Sequence, residues 1–379
     1  MSEAGILDND APVAVDNKVA VASQAQLTWW AFKRHKLAMA GLWVIVLFYV
    51  IVLFCEFIAP GDPLTQNRRA IFHPPQMPHF VDVAEDGSWS FRPYVDAMDR
   101  KRDPKTFRVS YEPTGEKIYL EFFGKGAPYR LWGIFDSETH LIATENPRDN
   151  VFFFGADRLG RDMFSRTMYG TRISMSIGLV GVAISLVLGI TLGGLSGYYG
   201  GRVDVIIQRL IEFVLSLPTI PIWLALAAAL PPSWPIYLQY FVITLIVSLV
   251  GWTELGRVVR GRFLAMKNED FVIAARLDGA SEKRIIFRHM LPSLTSHIIA
   301  SLTLAVPLMI LAETSLSFLG LGLQPPAISW GVLLKEAQNV RSISQAPWLF
   351  IPGGFVVVAV LAFNFLGDGM RDAADPYGQ

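Results

Sequence analysis

Residues 37–55 contain no charged side chain and are almost entirely apolar. A helix of about 20 such residues is long enough to cross the hydrocarbon core of a bilayer, which is roughly 30 Å thick. Inside that core the backbone finds no water, so an apolar segment must satisfy its own polar groups as an α-helix. The stretch therefore predicts a membrane-spanning helix near the start of the chain.

Five further apolar stretches have the same character. They lie near 173–195, 211–230, 236–252, 293–318 and 348–367. The composition agrees, because charged residues make up only 17% of the chain, against about 25% in average soluble proteins. Prolines such as Pro218 and Pro307 interrupt some stretches, which membrane helices tolerate. We predict an all-α transmembrane fold of six helices, one N-terminal helix followed by a core of five.

Basic residues predict which way these helices run. Lys33, Arg34 and Lys36 lie directly before the first stretch, and the connection 253–292 is rich in arginine. Such residues concentrate on the cytoplasmic side, so we expect both termini in the cytoplasm. The chain then divides into a cytoplasmic tail 1–36, a first transmembrane helix 37–59, an extracytoplasmic insert 60–153, a membrane core 154–367 and a cytoplasmic tail 368–379.

The insert differs from the rest of the chain in its pattern. Apolar and polar residues alternate over 107–111 and 117–122, as in half-buried strands. The segment 113–115 between them, Pro-Thr-Gly, predicts a turn. We expect a small β-rich domain outside the membrane, which either stabilises the assembly or handles a ligand directly.

Motifs for catalysis are absent from the sequence. It has no Gly-x-x-x-x-Gly-Lys-Ser/Thr loop for the phosphates of ATP, no His-Glu-x-x-His zinc motif and no Gly-x-Ser-x-Gly nucleophile turn. The single cysteine, Cys55, cannot form an internal disulfide. The 33 basic and 33 acidic residues balance, whereas nucleic-acid binders usually carry a basic surplus. We expect a non-catalytic chain that binds no cofactor, metal or nucleic acid.

The connection 253–292 carries helix start and stop signals. Asn268 before acidic residues predicts a helix N-cap, and Gly279 predicts the stop of that helix in a left-handed conformation. Ser281 predicts the start of a second helix, which we expect to end before Pro292. The pattern is thus two short helices hinged at a glycine.

The first of these helices carries small residues on one side. Phe271, Ala274 and Ala275 have the i, i+3, i+4 spacing of one helical face. Such a face permits close approach of another protein, and nearby arginines would steer an acidic partner. A position between two membrane spans disfavours a DNA-binding helix–turn–helix. A plain connection between packed helices usually has only about 2–8 residues, whereas the connection 253–292 has 40. We therefore predict a docking element.

The same segment resembles the signature loop of ABC-transporter permease subunits. That pattern is Glu-Ala-Ala, three residues, Gly, nine residues, Ile, one residue, Leu-Pro. Here 274–281 is Ala-Ala-Arg-Leu-Asp-Gly-Ala-Ser and 288–292 is Arg-His-Met-Leu-Pro. Ile273 replaces the family's Glu and His289 its Ile. Both departures resemble the dipeptide/oligopeptide branch of binding-protein-dependent permeases, the C-type permeases.

Other segments resemble that branch as well. They are 155–162 (Gly-Ala-Asp-Arg-Leu-Gly-Arg-Asp), 197–201 (Gly-Tyr-Tyr-Gly-Gly), 316–322 (Leu-Ser-Phe-Leu-Gly-Leu-Gly) and 371–376 (Arg-Asp-Ala-Ala-Asp-Pro). The resemblance covers about 30–59 and 150–379 and is weak elsewhere.

The resemblance implies half of the translocation pathway of an ATP-driven importer in a bacterial inner membrane. Its solutes would be peptides, with oligosaccharides, opines or nickel as alternatives. It implies a second homologous permease subunit, two ABC ATPase subunits that bind ATP and magnesium, and a periplasmic solute-binding protein. The cytoplasmic connection 253–292 would couple to the ATPase, and its residues 268–292, from here on the coupling loop, would sit in a groove of that subunit. The coupling residues would be Glu269, Asp270, Phe271, Ala274, Ala275, Arg276, Asp278, Gly279, Ala280, Ser281, Arg284, Arg288, Leu291 and Pro292.

Three polar residues in the fifth stretch are candidates for the pathway: Glu313, Ser315 and Ser317. An intramembrane carboxylate is costly and by default functional, yet Glu313 could equally accept hydrogen bonds from a neighbouring helix. If it carried protons, the chain would be an ion-coupled secondary transporter, but we find no inverted repeat of broken helices. A membrane-anchored receptor or enzyme built on the insert would need only one or two spans.

Two further patterns concern packing. Small residues recur at every fourth position, namely Gly181, Ser185, Gly189, Gly193 and Gly197. They allow helices to approach closely, and we favour packing within this chain over contact with a partner permease. Arg158, Arg161 and Arg166 among apolar neighbours predict an amphipathic helix lying at the outer membrane surface.

Overall fold

The fold is a bundle of long helices with a β-rich unit between the second helix and the third. The computed structural model describes residues 24–83, 88–102, 104, 109–146, 149–231, 233–339 and 344–374. Its helices are α1 (Gln24–Arg34), α2 (Lys36–Ile58), α3 (Met163–Tyr199), α4 (Gly201–Ser216), α5 (Thr219–Ala228), α6 (Ile236–Met266), α7 (Asp270–Leu277), α8 (Glu282–Arg284, Ile285–Met290 and Leu291–Ser293), α9 (Thr295–Phe318), α10 (Trp330–Ala337) and α11 (Ile351–Ala374). The strands are β1 (His79–Val83), β2 (Trp89–Arg102), β3 (Val109–Phe122), β4 (Lys125–Leu131), β5 (Phe135–Thr139) and β6 (Ile142–Thr144).

Within the described residues, five helices are long and apolar enough to cross a membrane: α2, α3, α6, α9 and α11. The pair α4–α5, which covers the predicted stretch 211–230, makes a sixth span only if its two helices, bent by 85° to each other, are counted as one. The predicted stretch 211–230 is therefore not one straight helix. The break lies at Leu217, which is extended (φ −86°, ψ 135°) because a residue before proline avoids the helical conformation. The five candidate spans exceed the one or two that a membrane-anchored receptor or enzyme would need.

Helices α3 and α6 pack along the stripe of small residues. A Cβ atom on Gly193 would lie only 2.4 Å from the backbone oxygen of Gly256, and one on Gly197 only 2.7 Å from that of Arg260. Any larger residue would force the helices apart, so glycine is required for this approach. The other members of the stripe are buried as well: Gly181, Ser185 and Gly189. Packing of the stripe within the chain is confirmed.

Helix α2 is bent near its end and held to α3 by an ion pair. Phe54 has non-helical dihedral angles (φ −119°, ψ 26°). Arg172 of α3 donates two hydrogen bonds of 2.5 Å to the carboxylate of Glu56. It donates a third, of 2.9 Å, to the backbone oxygen of Val52 beside the bend. One guanidinium thus stabilises both a carboxylate and a distorted turn.

The insert is β-rich, as the alternating pattern predicts. The strands of its antiparallel sheet lie in the order β1-β2-β3-β6, and β4 and β5 form a separate hairpin. The prediction of a turn at 113–115 is wrong, because β3 runs through this segment. The pairing register shifts opposite it, between Asp96 and Met98 of β2. The extra residues form a β-bulge, which Gly115 permits by its φ of +83°.

The insert leaves and rejoins the membrane domain at neighbouring points. The backbone amide of Gln76 donates to the oxygen of Phe152 at 2.9 Å, and the amide of Ala156 donates to the oxygen of His73 at 2.8 Å. The side chain of Gln76 bonds the same region, since its oxygen accepts from the amide of Phe152 at 2.8 Å. The strands therefore belong to a segment of the chain whose two ends are tied together by hydrogen bonds.

Candidate coupling loop and membrane groove

The first helix of the coupling loop, α7, begins one residue later than predicted. Its N-cap is Glu269, which makes no side-chain cap hydrogen bond, so the prediction of an Asn268 cap is wrong. Glu269 and Asp270 place negative charge at the helix N-terminus, where the helix dipole favours it. Charge at the first turn thus takes the place of a capping side chain.

Helix α7 ends at Leu277, and Gly279 just after it has the left-handed conformation that the sequence predicts. Gly279 has a φ of +73°, and the amide of Ala280 donates to the oxygen of Ala275 at 3.0 Å. This is the bonding of a Schellman stop, which requires a left-handed residue. Nothing lies within 4 Å of where a Cβ atom on Gly279 would be. The backbone conformation, and not crowding, therefore requires glycine here.

The second helix, α8, passes through Pro292, which contradicts the prediction that it ends earlier. Ser281 caps its start, as predicted, by accepting a hydrogen bond of 3.4 Å from the amide of Arg284. Residues Ile285–Met290 are π-helical, and the next turn contains the proline. A π-helical turn shifts the hydrogen-bond pairing, which accommodates a residue without an N–H. The loop is thereby joined to α9 with almost no interruption.

The inner side of the coupling loop is anchored on α6. Val272 of α7 and Ile285 and Met290 of α8 are buried in one apolar cluster with Phe263 of α6. Ala275, predicted to lie on the docking face, belongs to this cluster, because it shares a face with the bulkier Val272. The inner side of the loop is thus packed on α6 in the manner of a protein core.

The outer side of the coupling loop exposes large apolar side chains. Phe271 is 39% exposed, Leu277 83% and Phe287 65%. The exposed arginines Arg276 and Arg284 lie on the same two helices. An apolar patch with a charged rim is typical of a protein–protein contact. The exposed members of the predicted set are Glu269, Asp270, Phe271, Ala274, Arg276, Asp278, Gly279, Ser281, Arg284, Arg288 and Pro292, whereas Ala280 and Leu291 are half-buried.

Two polar contacts at the base of the loop are not predicted by the sequence. The Tyr199 hydroxyl, at the end of α3, donates to Glu282 of α8 at 2.8 Å. Arg260 of α6 donates to both oxygens of Asp204 on α4, at 2.5 and 2.7 Å. The partners are far apart in sequence, so no local spacing reveals them. Together they connect α3, α4, α6 and the loop at one end of the bundle.

Glu313 lies fully buried at the centre of a hydroxyl network. It accepts hydrogen bonds from Ser174 at 3.2 Å, from Ser317 at 2.8 Å and from Ser329 at 2.7 Å. Each of these hydroxyls in turn accepts a backbone amide of the segment 323–332. The carboxylate thereby joins α3, α9 and α10. This geometry favours the structural acceptor over the proton carrier.

A groove of about 560 Å³ lies between α5, α6 and α9. Its walls are mostly apolar and include Trp223, while Ser315 and Glu254 contribute polar groups. Of the three pathway candidates, Ser315 lines this groove, whereas Glu313 and Ser317 lie in the buried network behind it. Ser315 is therefore in a different environment from Glu313 and Ser317, although the three residues are close in sequence.

Two carboxylates and two guanidinium groups form a buried cluster where the end of the insert meets α10. Asp157 accepts hydrogen bonds from Arg161 at 2.7 Å and from Arg166. Glu336 accepts from Arg161 at 2.6 Å and from Arg166 at 3.3 Å. Burial alone would raise the pKa of Asp157, but the charges of Arg166 and Arg161 outweigh it and hold this pKa below its usual value.

This cluster contradicts the predicted amphipathic surface helix. Helix α3 begins only at Met163, because Gly160 at φ +72° turns the chain before it. Arg161 and Arg166 point inward to the carboxylates, and Arg158 is the exposed member of the three. One sequence signal could have predicted the ion pairs of Arg161 and Arg166: Asp157 is an acidic residue with arginines close to it in the sequence.

Residues 189–377 match the protein-family model described as "Binding-protein-dependent transport system inner membrane component". The one described as "N-terminal TM domain of oligopeptide transport permease C" matches 23–75. The dipeptide transport system permease protein DppC of Bacillus subtilis (strain 168) is 32% identical over 356 residues, which cover 93% of this chain and 86% of DppC. The chain belongs to this family of transport permeases. The resemblance of the coupling loop to ABC permeases of the peptide branch is thereby confirmed.

Other relatives of this permease have similar names. The oligopeptide transport system permease protein OppC of Bacillus subtilis (strain 168) is 36% identical over 241 residues, 63% of this chain and 76% of OppC. The DppC protein of Alkalihalophilus pseudofirmus is 40% identical over 225 residues, 59% of this chain and 71% of that protein. An inward-facing structure of the MetNI methionine ABC transporter aligns with a TM-score of 0.43 at 13% identity, over 55% of this chain and 96% of that one. This permease is a multi-pass membrane protein of a transport family.

Proposed function

We propose that this permease is the membrane subunit of an ATP-driven peptide importer and that its coupling loop transmits movement from a separate ATPase. The observation that carries the proposal is the two-sided character of the loop. Its outer side exposes Phe271, Leu277 and Phe287, while its inner side is buried on α6. A surface open to a partner and packed rigidly on a helix can pass a rigid-body rotation into the bundle.

The peptide class is supported by the names of the relatives, which describe dipeptide and oligopeptide transport. The groove between α5, α6 and α9 would form this subunit's half of the pathway, and a second homologous permease would form the other half. Its mostly apolar walls with a few polar groups, among them Ser315, suit ligands with varied side chains. A solute-binding protein on the far side would deliver the peptide.

The proposal places the coupling loop and both termini in the cytoplasm of a bacterium, where ATP is available. Basic residues support this orientation, because Arg284 and Arg288 lie on the loop and Lys33 and Lys36 lie just before or at the start of α2. The insert then lies on the opposite, periplasmic side of the inner membrane.

Purification from gently solubilised native membranes tests the proposal. We expect the tagged chain to recover two ATPase subunits, a second six-span permease and, with added solute, a binding protein whose bound ligand identifies the substrate class. Uptake by the reconstituted complex should require ATP and magnesium. A chain that is isolated alone and supports full uptake without ATP would overturn the proposal in favour of a secondary transporter.

Replacing Glu313 by glutamine tests the secondary transporter directly. The amide of glutamine can still bond to the three serine hydroxyls, so we expect Glu313→Gln to keep uptake and its pH dependence. The matched change Ser315→Ala, in the groove, reports how sensitive uptake is to polar groups in that wall. A lower uptake in Glu313→Gln that no longer changes with pH would instead identify Glu313 as a proton carrier.

A further inference from the structure

The tip of the β4–β5 hairpin lies against the last turns of α2. The Trp132 indole donates a hydrogen bond of 2.7 Å to the backbone oxygen of Leu53, and its ring lies 6.3 Å from that of Phe54. Leu53 precedes the end of α2 at Ile58 by five residues, which is about 7–8 Å along a helix that rises 1.5 Å per residue. The insert therefore reaches back alongside a membrane-spanning helix.

Large apolar side chains at this tip are uncovered. Ile134 is 72% exposed, Phe135 57% and Trp132 48%, and Phe123, in the adjacent turn before β4, is 66% exposed. Hairpin turns that face water usually carry glycine, asparagine, aspartate or serine. This turn instead places two large apolar residues, Trp132 and Ile134, on either side of Gly133. Such a patch requires an apolar environment.

Backbone strain is concentrated at the same place. Trp132 has a φ of +55° and Phe123 a φ of +57°, a region that bulky residues rarely occupy. The Phe123 ring lies 6.0 Å from that of Phe57 on α2. Both strained residues thus direct an aromatic ring to the end of α2. Strain of this kind is retained where the placement of the side chain matters.

The polarity of the hairpin changes abruptly next to the tip. Arg130 and Asp136 stand opposite each other on β4 and β5 and form an exposed ion pair at 2.7 Å. The apolar residues of 131–135 begin at the next position. At a membrane–water interface, charged groups lie on the water side and aromatic side chains lie next to the hydrocarbon, which is the order found along this hairpin.

We propose that the tip of the β4–β5 hairpin, residues 131–135, inserts into the lipid leaflet on the side of the insert. Trp132 then lies at the boundary between headgroups and hydrocarbon, where its apolar ring and N–H are both satisfied. Ile134 and Phe135 contact acyl chains, and the ion pair of Arg130 and Asp136 stays among the headgroups. Lipid is the occupant because α2, against which the tip packs, fixes its depth. The proposal requires only that α2 spans the membrane, not that the chain imports peptides.

Depth measurement by spin labelling tests this. The chain is purified with its co-purifying partners into nanodiscs of phosphatidylethanolamine and phosphatidylglycerol, with a nitroxide on Ile134→Cys or, as a control, on Glu116→Cys in the exposed bulge of β3. The native chain gives the labelling background, because its single cysteine, Cys55, is buried. Relaxation of each label by lipid-soluble oxygen and by water-soluble nickel-EDDA is then compared.

We expect the label at 134 to respond more to oxygen than to nickel-EDDA and the label at 116 to show the opposite order. Adding Trp132→Ala, which removes the hydrogen bond to Leu53, should shift the label at 134 towards the nickel-EDDA response. Equal nickel-EDDA responses at 134 and 116 would show that the tip lies in water. Protection of 134 from both reagents would show that protein covers it. Either result overturns the proposal.

Discussion

Replacement of Arg166 by leucine is expected to lower the free energy of unfolding by about 3–5 kcal/mol, the usual cost of removing one partner from a buried ion pair. Arg166 is 1% exposed and Asp157 fully buried. Without Arg166, the two carboxylates of Asp157 and Glu336 share the single guanidinium of Arg161. One negative charge would then be buried without compensation, which is why the effect is large.

The lone thiol of the chain provides the measurement. Cys55 is buried in α2, so a thiol-reactive fluorophore labels it only as the membrane domain unfolds on heating. The matched control is Arg158→Leu, which removes an exposed arginine from the same motif and should leave the midpoint nearly unchanged. The double variant Arg166→Leu/Glu336→Leu restores charge balance and should recover part of the loss. Equal midpoints for Arg166→Leu and Arg158→Leu would contradict a role for the cluster in stability.

Replacement of Gly279 by valine is expected to abolish most of the proposed ATPase recruitment while the membrane domain stays folded. A left-handed conformation costs an L-residue about 1–2 kcal/mol, and a β-branched side chain tolerates it poorly. The chain would escape this strain by changing the angle between α7 and α8, so the exposed side chains of Leu277 and Phe287 would change their positions relative to each other. Since about 1.4 kcal/mol corresponds to a factor of ten in affinity, co-purifying ATPase should fall roughly tenfold.

A second glycine provides the control for this change. Gly261, near the cytoplasmic end of α6 in the proposed orientation, also has nothing within 4 Å of a Cβ position, but it lies in a regular helix. Gly261→Val adds the same bulk without a left-handed backbone and should keep ATPase binding. Gly279→Asn should retain binding too, because asparagine tolerates positive φ. Unchanged recruitment in Gly279→Val, at an unchanged unfolding temperature, would remove the loop geometry from the coupling mechanism.

Features that depend on neighbouring residues could be predicted from the sequence. The apolar stretches predict the spans, because length and hydropathy alone decide whether a helix can cross a bilayer. Gly279 predicts a left-handed stop because few other residues adopt that conformation. The stripe from Gly181 to Gly197 predicts a close helix contact, since its period matches the helical repeat.

Features that depend on distant partners could not be predicted in this way. Nothing near Arg161 indicates that Glu336 will lie beside it, and the inward direction of both arginines follows only once α10 is in place. Glu313 is similar, because its partner Ser329 lies beyond the end of α9. The broken span at Leu217 shows a further limit. A proline in an apolar stretch predicts an irregular helix, but the angle of the bend is set by the helices that pack around it.

The tied ends of the insert, where Gln76 meets Phe152, confine the junctions between the β-rich unit and the helices to one place. A segment that departs and returns at one place tolerates insertions there, provided that the contacts of Trp132 with Leu53 and of Leu141 with Phe57 at the end of α2 are kept. For protein engineering, the same place is a natural site for a grafted reporter domain.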